Sequence, residues 1–212
     1  MRKLNELDDW ITRLDRGLRA GAGTKTHASR PSPAANAKAV PLSPADRRRA
    51  IELMRVNHAG EVAAQALYEG QAATASDPRL RDSLLEAARE EADHLQWCAA
   101  RLDELGGNTS RLGPLWYFGS LIIGAAAGRT GDRWSLGFLA ETENQVSTHL
   151  QGHLAALPPA DERSRVVLEQ MKDDEERHAM TAVNNGAAEL PGPVRGLMRL
   201  ASKFMTVGAR WV

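Results

Sequence analysis

The chain has 212 residues, 42% of them hydrophobic, enough to bury one good-sized core within a single domain. Its 27 basic and 27 acidic residues cancel to a formal net charge of zero, which offers no broad basic surface and counts against nucleic acid as a partner. A single cysteine, Cys98, excludes an intrachain disulfide and any cysteine-built zinc or rubredoxin-like site.

Strand signals are almost absent, while Ala, Leu, Glu and Arg recur at helical spacing, so the predicted class is all-α. The first twenty residues hold Glu6, Asp8, Asp9 and Asp15, too acidic for a cleavable signal or a mitochondrial transit peptide. Leu4, Leu7, Ile11, Leu14 and Leu18 predict a short amphipathic helix instead. Residues 21–42, rich in Gly, Ala, Ser and Pro, read as a flexible linker, so 1–42 form an N-terminal segment and 43–212 the main body. Ser43-Pro44-Ala45-Asp46 caps the first long helix, on which Glu61 shares a face with Met54, Gln65 and Tyr68. Ser76-Asp77-Pro78 ends it. On the next helix Leu84, Ala88, Glu91, Leu95, Cys98 and Leu102 make an apolar stripe, with His94 one turn from Glu91 and Cys98 a small packed thiol. Further on, Glu143 lies with Leu136, Ala140, Ser147, Leu150 and Leu154; Pro158-Pro159 follows, and then Leu168, Met171, Glu175, His178 and Ala182 repeat the pattern.

Six residues stand out: Glu61, Glu91, His94, Glu143, Glu175 and His178. They form two halves, each a lone Glu followed by a Glu-x-x-His, at intervals of 30 and 32 residues. The midpoints, 76 and 159, fall on the two turn signals, so antiparallel helix pairs bring Glu61 level with Glu91, and Glu143 level with Glu175. Four glutamates and two histidines so placed are what a four-helix bundle uses to hold two iron ions. Glu in a core stripe is costly unless paired or bound to metal, and two divalent cations cancel four such charges. The neighbouring Glu90, Asp93 and Glu176 read as charges on solvated faces, and His27 and His153 as surface histidines.

Leu112 to Gly128 carries no charge between Arg111 and Arg129. Its seventeen residues span about 25 Å as a helix, short of a ~30 Å bilayer core, and either a buried connector or an interfacial segment fits, with Trp116 and Tyr117 suited to a headgroup boundary. The C-terminal stretch 193–212 tips the balance. Arg195, Arg199 and Lys203 recur every four residues, with Met198, Ala201, Phe204, Met205 and Trp211 on other faces, the pattern of a helix lying on an anionic membrane. A monotopic protein with a lipid-like substrate is expected.

Arg55-Val56-Asn57-His58-Ala59-Gly60-Glu61, together with both Glu-x-x-His motifs and Gly113-Pro114-Leu115-Trp116, resembles the demethoxyubiquinone hydroxylases of ubiquinone biosynthesis, from about residue 45 to near the C-terminus. The resemblance implies a ferritin-like bundle with membrane-interfacial helices. It would use two iron ions per subunit and O2 to hydroxylate the ring of a polyprenylated benzoquinol, the 3-demethoxyubiquinol 3-hydroxylase step. It further implies that Glu61, Glu91 and His94 bind one iron, that Glu143, Glu175 and His178 bind the other, and that Glu91 and Glu175 bridge. His149 matches a family histidine near the centre and is a candidate partner behind the ligands or a proton relay. Relatives with a tyrosine after it differ from this chain, which has Leu150. His58 is left between helix packing and substrate lining.

The expected location is the cytoplasmic side of a bacterial inner membrane, bound peripherally. Membrane lipid and ubiquinone-pathway proteins are expected partners, and electrons would come from NADH, a reductase or the quinol itself. No Rossmann fingerprint follows a strand, so no built-in nucleotide domain is expected. The alternatives are a ferroxidase or iron-binding bundle, and a non-enzymatic quinone- or lipid-binding scaffold.

Overall fold

Six α-helices and one short 3-10 turn (Pro33–Asn36) account for the regular structure of a computed structural model that describes residues 28–211 and, before them, Asp15. We number the helices α1 (Pro44–Thr74), α2 (Pro78–Leu105), α3 (Gly113–Arg129), α4 (Asp132–Ala156), α5 (Glu162–Asn184) and α6 (Gly192–Trp211). The class is all-α, as predicted, and the helices form a ferritin-like bundle. Asp15 apart, the amphipathic helix expected over the first twenty residues lies outside the described residues, as does His27.

Local chemistry starts the helices where the sequence predicts. Ser43 Oγ accepts the Asp46 N–H ahead of Pro44, Asp77 accepts from Arg79 N ahead of Pro78, and Asp161 accepts from Ser164 N. Gly106 closes α2 in the left-handed region at φ 71°, a conformation that a residue with a Cβ rarely adopts. The turns after α1 and α4 fall on Ala75–Asp77 and Leu157–Asp161, so α1 packs on α2 and α4 on α5 as two hairpins.

The core is layered along the bundle. At one end Leu53, Met54, Trp97, Leu150, Leu168 and Met171 pack together; at the other Tyr68, Leu84, Ala88, Leu136, Leu139 and Ala182 do. Glu61, Glu91, Glu143 and Glu175 lie between these layers. Cys98 is buried against Met171, with Sγ 3.8 Å from Sδ, so the packed-thiol reading holds.

The charge-free segment Leu112–Gly128 forms α3, which lies along α1. Gly70 and Gly124 make the contact possible: a Cβ on Gly124 would collide with the Leu67 carbonyl, and one on Gly70 with the Leu121 carbonyl. Trp116 and Tyr117 do not sit at an outer boundary as expected. Both are buried, and the Tyr117 hydroxyl donates to Glu69 at 2.6 Å, since a buried phenol needs an acceptor. The outer face of α3 is instead Leu115, Ile122 and Ile123, and that of α6 is Leu197, Leu200, Phe204 and Val207, all exposed. No described helix is long and apolar enough to cross a membrane.

The linker reading for residues 21–42 needs correction in its second half. Residues 29–37 lie on the bundle: Ser29 and Arg30 bond to Asp93, Ala34 is buried, and Arg163 of α5 donates to the Ala34 carbonyl. A Pro- and Ala-rich composition signals weak local structure, but it does not register partners more than sixty residues away.

Candidate metal centre

Each half of the bundle delivers its ligands through helix periodicity. Glu91 and His94, and likewise Glu175 and His178, are three residues apart and so share one helix face. Glu61 and Glu143 approach from α1 and α4. All six predicted residues come together in the core, with Glu91, His94 and Glu143 at 0% exposure. Two overlapping groups result, Glu61–Glu91–His94–Glu175 and Glu91–Glu143–Glu175–His178, and within each the candidate ligand atoms lie within 4.8 Å of one another.

The two shared carboxylates are split between the groups. Glu91 Oε2 is 2.9 Å from His94 Nδ1, while its Oε1 is 3.6 Å from His178 Nδ1. Glu175 does the same in mirror image, with Oε1 3.4 Å from His94 Nδ1 and Oε2 3.6 Å from His178 Nδ1. Glu61 Oε2 lies 3.6 Å from His94 Nδ1, and Glu143 Oε1 3.8 Å from His178 Nδ1.

Fourteen buried side-chain N and O atoms among the described residues lack a hydrogen-bond partner, and seven of them belong to this cluster: Glu61 Oε2, Glu91 Oε1, both oxygens of Glu143, both of Glu175, and His178 Nδ1. Orphaned buried acceptors are expensive, and this many converging in one place is the donor set that bound cations would satisfy. The electrostatics agree. Burial, then the neighbouring Glu175 charge, holds Glu91 and Glu143 well above the ordinary carboxylate range, and burial raises Glu61. Burial would raise Glu175 too, but the adjacent His178 and His94 imidazoles carry it below that range. Burial would lower His94, yet the Glu91 charge and the bond to Asp174 leave it well above normal. These shifts mark a cluster short of positive charge, which a metal would bring. The residues present fit a pair of divalent cations.

Two partners that sequence reading missed sit behind the histidines. Asp174 Oδ2 accepts from His94 Nε2 at 3.0 Å, and Glu90 Oε2 accepts from His178 Nε2 at 3.1 Å. The pairing is crossed: the α5 acid serves the α2 histidine and the α2 acid serves the α5 histidine. An N–H directed at an acid from Nε2 leaves Nδ1 as the nitrogen that faces the cluster and would give its lone pair to a metal, the tautomer a metal requires. The signal was present, because the acid stands immediately before the glutamate of each motif, as Glu90-Glu91 and Asp174-Glu175. Glu90 is therefore not simply on a solvated face, and neither is Asp93, which is 2% exposed and bonded to Ser29 and Arg30. Glu176 does lie at the surface, pairing with Lys172 at 2.6 Å.

The chain matches the family model described as "Ubiquinone biosynthesis protein COQ7" over residues 48–209. It is similar to proteins named 3-demethoxyubiquinol 3-hydroxylase. The one from Ralstonia pickettii is 56% identical over 96% of this chain and 98% of that protein, and the one from Chromobacterium violaceum is 54% identical over 94% and 97%. The one from Nitrosococcus oceani is 52% identical over 100% and 99%. The chain belongs to the COQ7 family. Within this COQ7 chain the ordered segment 29–37 precedes the residues matched by the family model.

His149 and His153 form a different group. His153 is buried, not at the surface as expected: its Nδ1 is 2.7 Å from Asn57 Oδ1, and burial, then the His149 ring, brings its pKa down to about 3. The correction comes from Asn57, which lies on another helix and is invisible to a one-helix reading. The His149 ring centroid is 4.0 Å from that of His153, and burial, then the Arg210 charge, lowers the His149 pKa; no described hydrogen bond or ion pair joins His149 to the six ligand candidates. His58 is buried, with a pKa lowered to about 4 by burial. Beside His178 a groove of about 130 Å³ opens between α2, α4 and α5, lined in part by Leu84, Glu90, Leu136, Leu139 and Ala182.

Proposed function

We propose that the protein is an O2-dependent di-iron monooxygenase that hydroxylates the ring of a polyprenylated demethoxy-benzoquinol, acting as a 3-demethoxyubiquinol 3-hydroxylase in ubiquinone biosynthesis. The observation that carries the reading is the pair of shared carboxylates, Glu91 and Glu175, each with one oxygen toward either histidine. The names of the similar proteins supply the substrate. Glu61, Glu91 and His94 would hold one ion and Glu143, Glu175 and His178 the other, with Glu91 and Glu175 common to both. Four carboxylates and two imidazoles suit iron or manganese, whereas zinc lacks the redox chemistry.

When bound, the metal pair supplies the redox-active sites at which O2 is reduced. One oxygen atom enters the ring and the other leaves as water, which takes two electrons and two protons from an external donor: NADH, a reductase or the quinol. The protein's own part is positioning and exclusion. Asp174 and Glu90 fix the tautomer of His94 and His178, and the apolar layers on either side keep bulk water from the acids. His149 enters this reading as a polar group six residues along α4 from Glu143, about 9 Å of helical rise, beside His153.

A peripheral membrane position is part of the proposal. Leu115, Ile122 and Ile123 of α3, with Leu197, Leu200, Phe204 and Val207 of α6, give apolar surface, and Arg199 and Lys203 flank the α6 face with positive charge for anionic lipid. A substrate with a polyprenyl tail would be drawn from that lipid. The test is turnover of a demethoxyquinol by the iron-loaded protein, followed by mass spectrometry. Wild type is expected to give the hydroxylated quinol, and Glu175→Gln none. Full hydroxylation by Glu175→Gln, or iron oxidation without any quinol product in wild type, would defeat the assignment.

A further inference from the structure

Residues 29–37 cross the outside of the α2–α5 seam, and one side chain from this strap reaches the back of the metal centre. Arg30 Nε is 2.9 Å from Asp93 Oδ2, its Nη1 is 2.8 Å from Asp174 Oδ2, and its guanidinium lies 4.8 Å above the Trp97 ring. Ser29 adds three further bonds to Asp93, from its backbone N–H at 2.6 Å and from Oγ at 2.8 and 3.1 Å, and the Arg30 carbonyl accepts from Trp97 Nε1 at 3.3 Å. Both acids are almost fully buried, at 2% and 5% side-chain exposure.

The choice of oxygen is informative. Asp174 Oδ1 is held within the bundle by Arg177 and Gln170. Oδ2, which takes the His94 N–H, is held by Arg30 alone among the described bonds. Arg30 Nη2 also stands 3.4 Å from His94 Nε2, a contact without a shared proton, because a nitrogen whose N–H points at Asp174 has no lone pair to offer. The other half repeats the device: Glu90 Oε2, which serves His178, is held by Arg177 at 3.0 Å. In that half the arginine belongs to the bundle. In the His94 half it arrives from a strap that precedes the family match at residue 48.

We propose that Arg30 is a positioning residue for His94: the strap carries it between Asp93 and Asp174, where its forked guanidinium fixes the Asp174 oxygen that orients the imidazole toward the metal. The inference rests on the metal-centre reading above. An arginine suits the task because it can donate to two acids in fixed directions, whereas a lysine ammonium is a point charge without that geometry.

The test is anaerobic titration of the full-length protein with ferrous iron, and with cobalt(II) as a ligand-field reporter, in wild type, Arg30→Gln and Arg30→Lys, with far-UV circular dichroism alongside. Wild type is expected to bind two ions. Arg30→Gln should keep wild-type helicity and bind one ion as before and the second roughly 10- to 100-fold more weakly, the range for partners behind metal ligands. The weakened cobalt band should be the one that Asp174→Asn also loses, with Arg30→Lys intermediate. Two ions at wild-type affinity in Arg30→Gln would overturn the proposal, as would equal weakening of both ions or of neither in Arg30→Lys. A wild-type protein that binds no metal would instead bring down the metal-centre reading, and this proposal with it.

Discussion

Two pairs of histidines lie in the same bundle, all but the half-buried His149 fully enclosed, and their surroundings push them in opposite directions. His94 and His178 stand among carboxylates and are raised above the ordinary imidazole range, while His149 and His153 are lowered, by burial first and then by positive neighbours such as Arg210 and Arg49. The first pair presents Nδ1 to acids whose oxygens lack partners; His153 spends its Nδ1 on the Asn57 amide. Residue type is the same in the two places, and His153 is as buried as His178. What separates a cation site from a packed polar pair is the charge of the facing helices, and that follows from which residues share a level in the bundle.

The largest expected effect breaks this comparison if it fails. Cations that bind only the folded chain stabilise it by about 2.7 kcal/mol per site at a hundred times the dissociation constant, so two sites are worth about 5 kcal/mol. Urea unfolding with and without ferrous iron, under anaerobic conditions, should show that gain in wild type and retain it in the His149→Gln/His153→Gln double variant. Glu91→Gln, which alters both groups of ligands at once, should lose most of it. A metal-dependent gain that vanished with His149 and His153 would mean that the wrong pair has been assigned to the cations.

A second prediction sharpens the comparison inside the acidic pair. Asp174 is 5% exposed and tied on both oxygens, whereas Glu90 is 24% exposed and borders the groove beside His178. Water can replace Glu90 as the acceptor for His178 more readily than it can reach His94. Asp174→Asn is therefore expected to weaken metal binding or kcat/KM about 10- to 100-fold, and Glu90→Gln by several-fold less. Equal losses in the two variants, measured by parallel metal titrations, would show that the seal over His94 has no consequence.

The ligand set was legible in the sequence because helix geometry is local. Spacing of three and four residues puts Glu91 with His94 and with the apolar stripe, and equal arm lengths about Ser76 and Pro159 put Glu61 level with Glu91 and Glu143 level with Glu175. The partners behind them were harder to read. Glu90 and Asp174 resemble ordinary surface acids until α2 and α5 are laid side by side, although the repeated acid before each motif glutamate was a usable clue. Arg30 offered none: it lies in a Pro- and Ala-rich stretch, and its bond to Asp174 spans 144 residues. His153 fails for the same reason, since its bond to Asn57 spans 96. The outer face of α3 shows the limit of composition: an apolar run fitted a buried connector or an interfacial segment equally, and only the fold shows Trp116 and Tyr117 turned inward with the exposure left to Leu115, Ile122 and Ile123.

The smallest expected effect tests the second histidine pair through pH. His153 has an ordinary pKa near 6.5 in the unfolded chain and about 3 when folded, because burial penalises the imidazolium and His149, Arg49 and Arg210 oppose it. Below pH 6.5 the unfolded chain takes up a proton that the folded chain refuses, so the stability tied to neutral His153 is complete above 6.5 and is lost progressively as pH falls toward 3. A group of this kind costs up to about 1.4 kcal/mol per pH unit, and roughly 1 kcal/mol between pH 7 and 5.5. Glutamine at 153 keeps a polar group for Asn57 but does not titrate. The stability of His153→Gln, from urea curves at those two pH values, should therefore fall by about 1 kcal/mol less than that of wild type, whatever the offset between them at pH 7. Parallel slopes would mean that position 153 already carries its proton, or sheds it freely, in the folded protein. The contrast between a basic-facing and an acid-facing histidine pair would then lose its electrostatic basis.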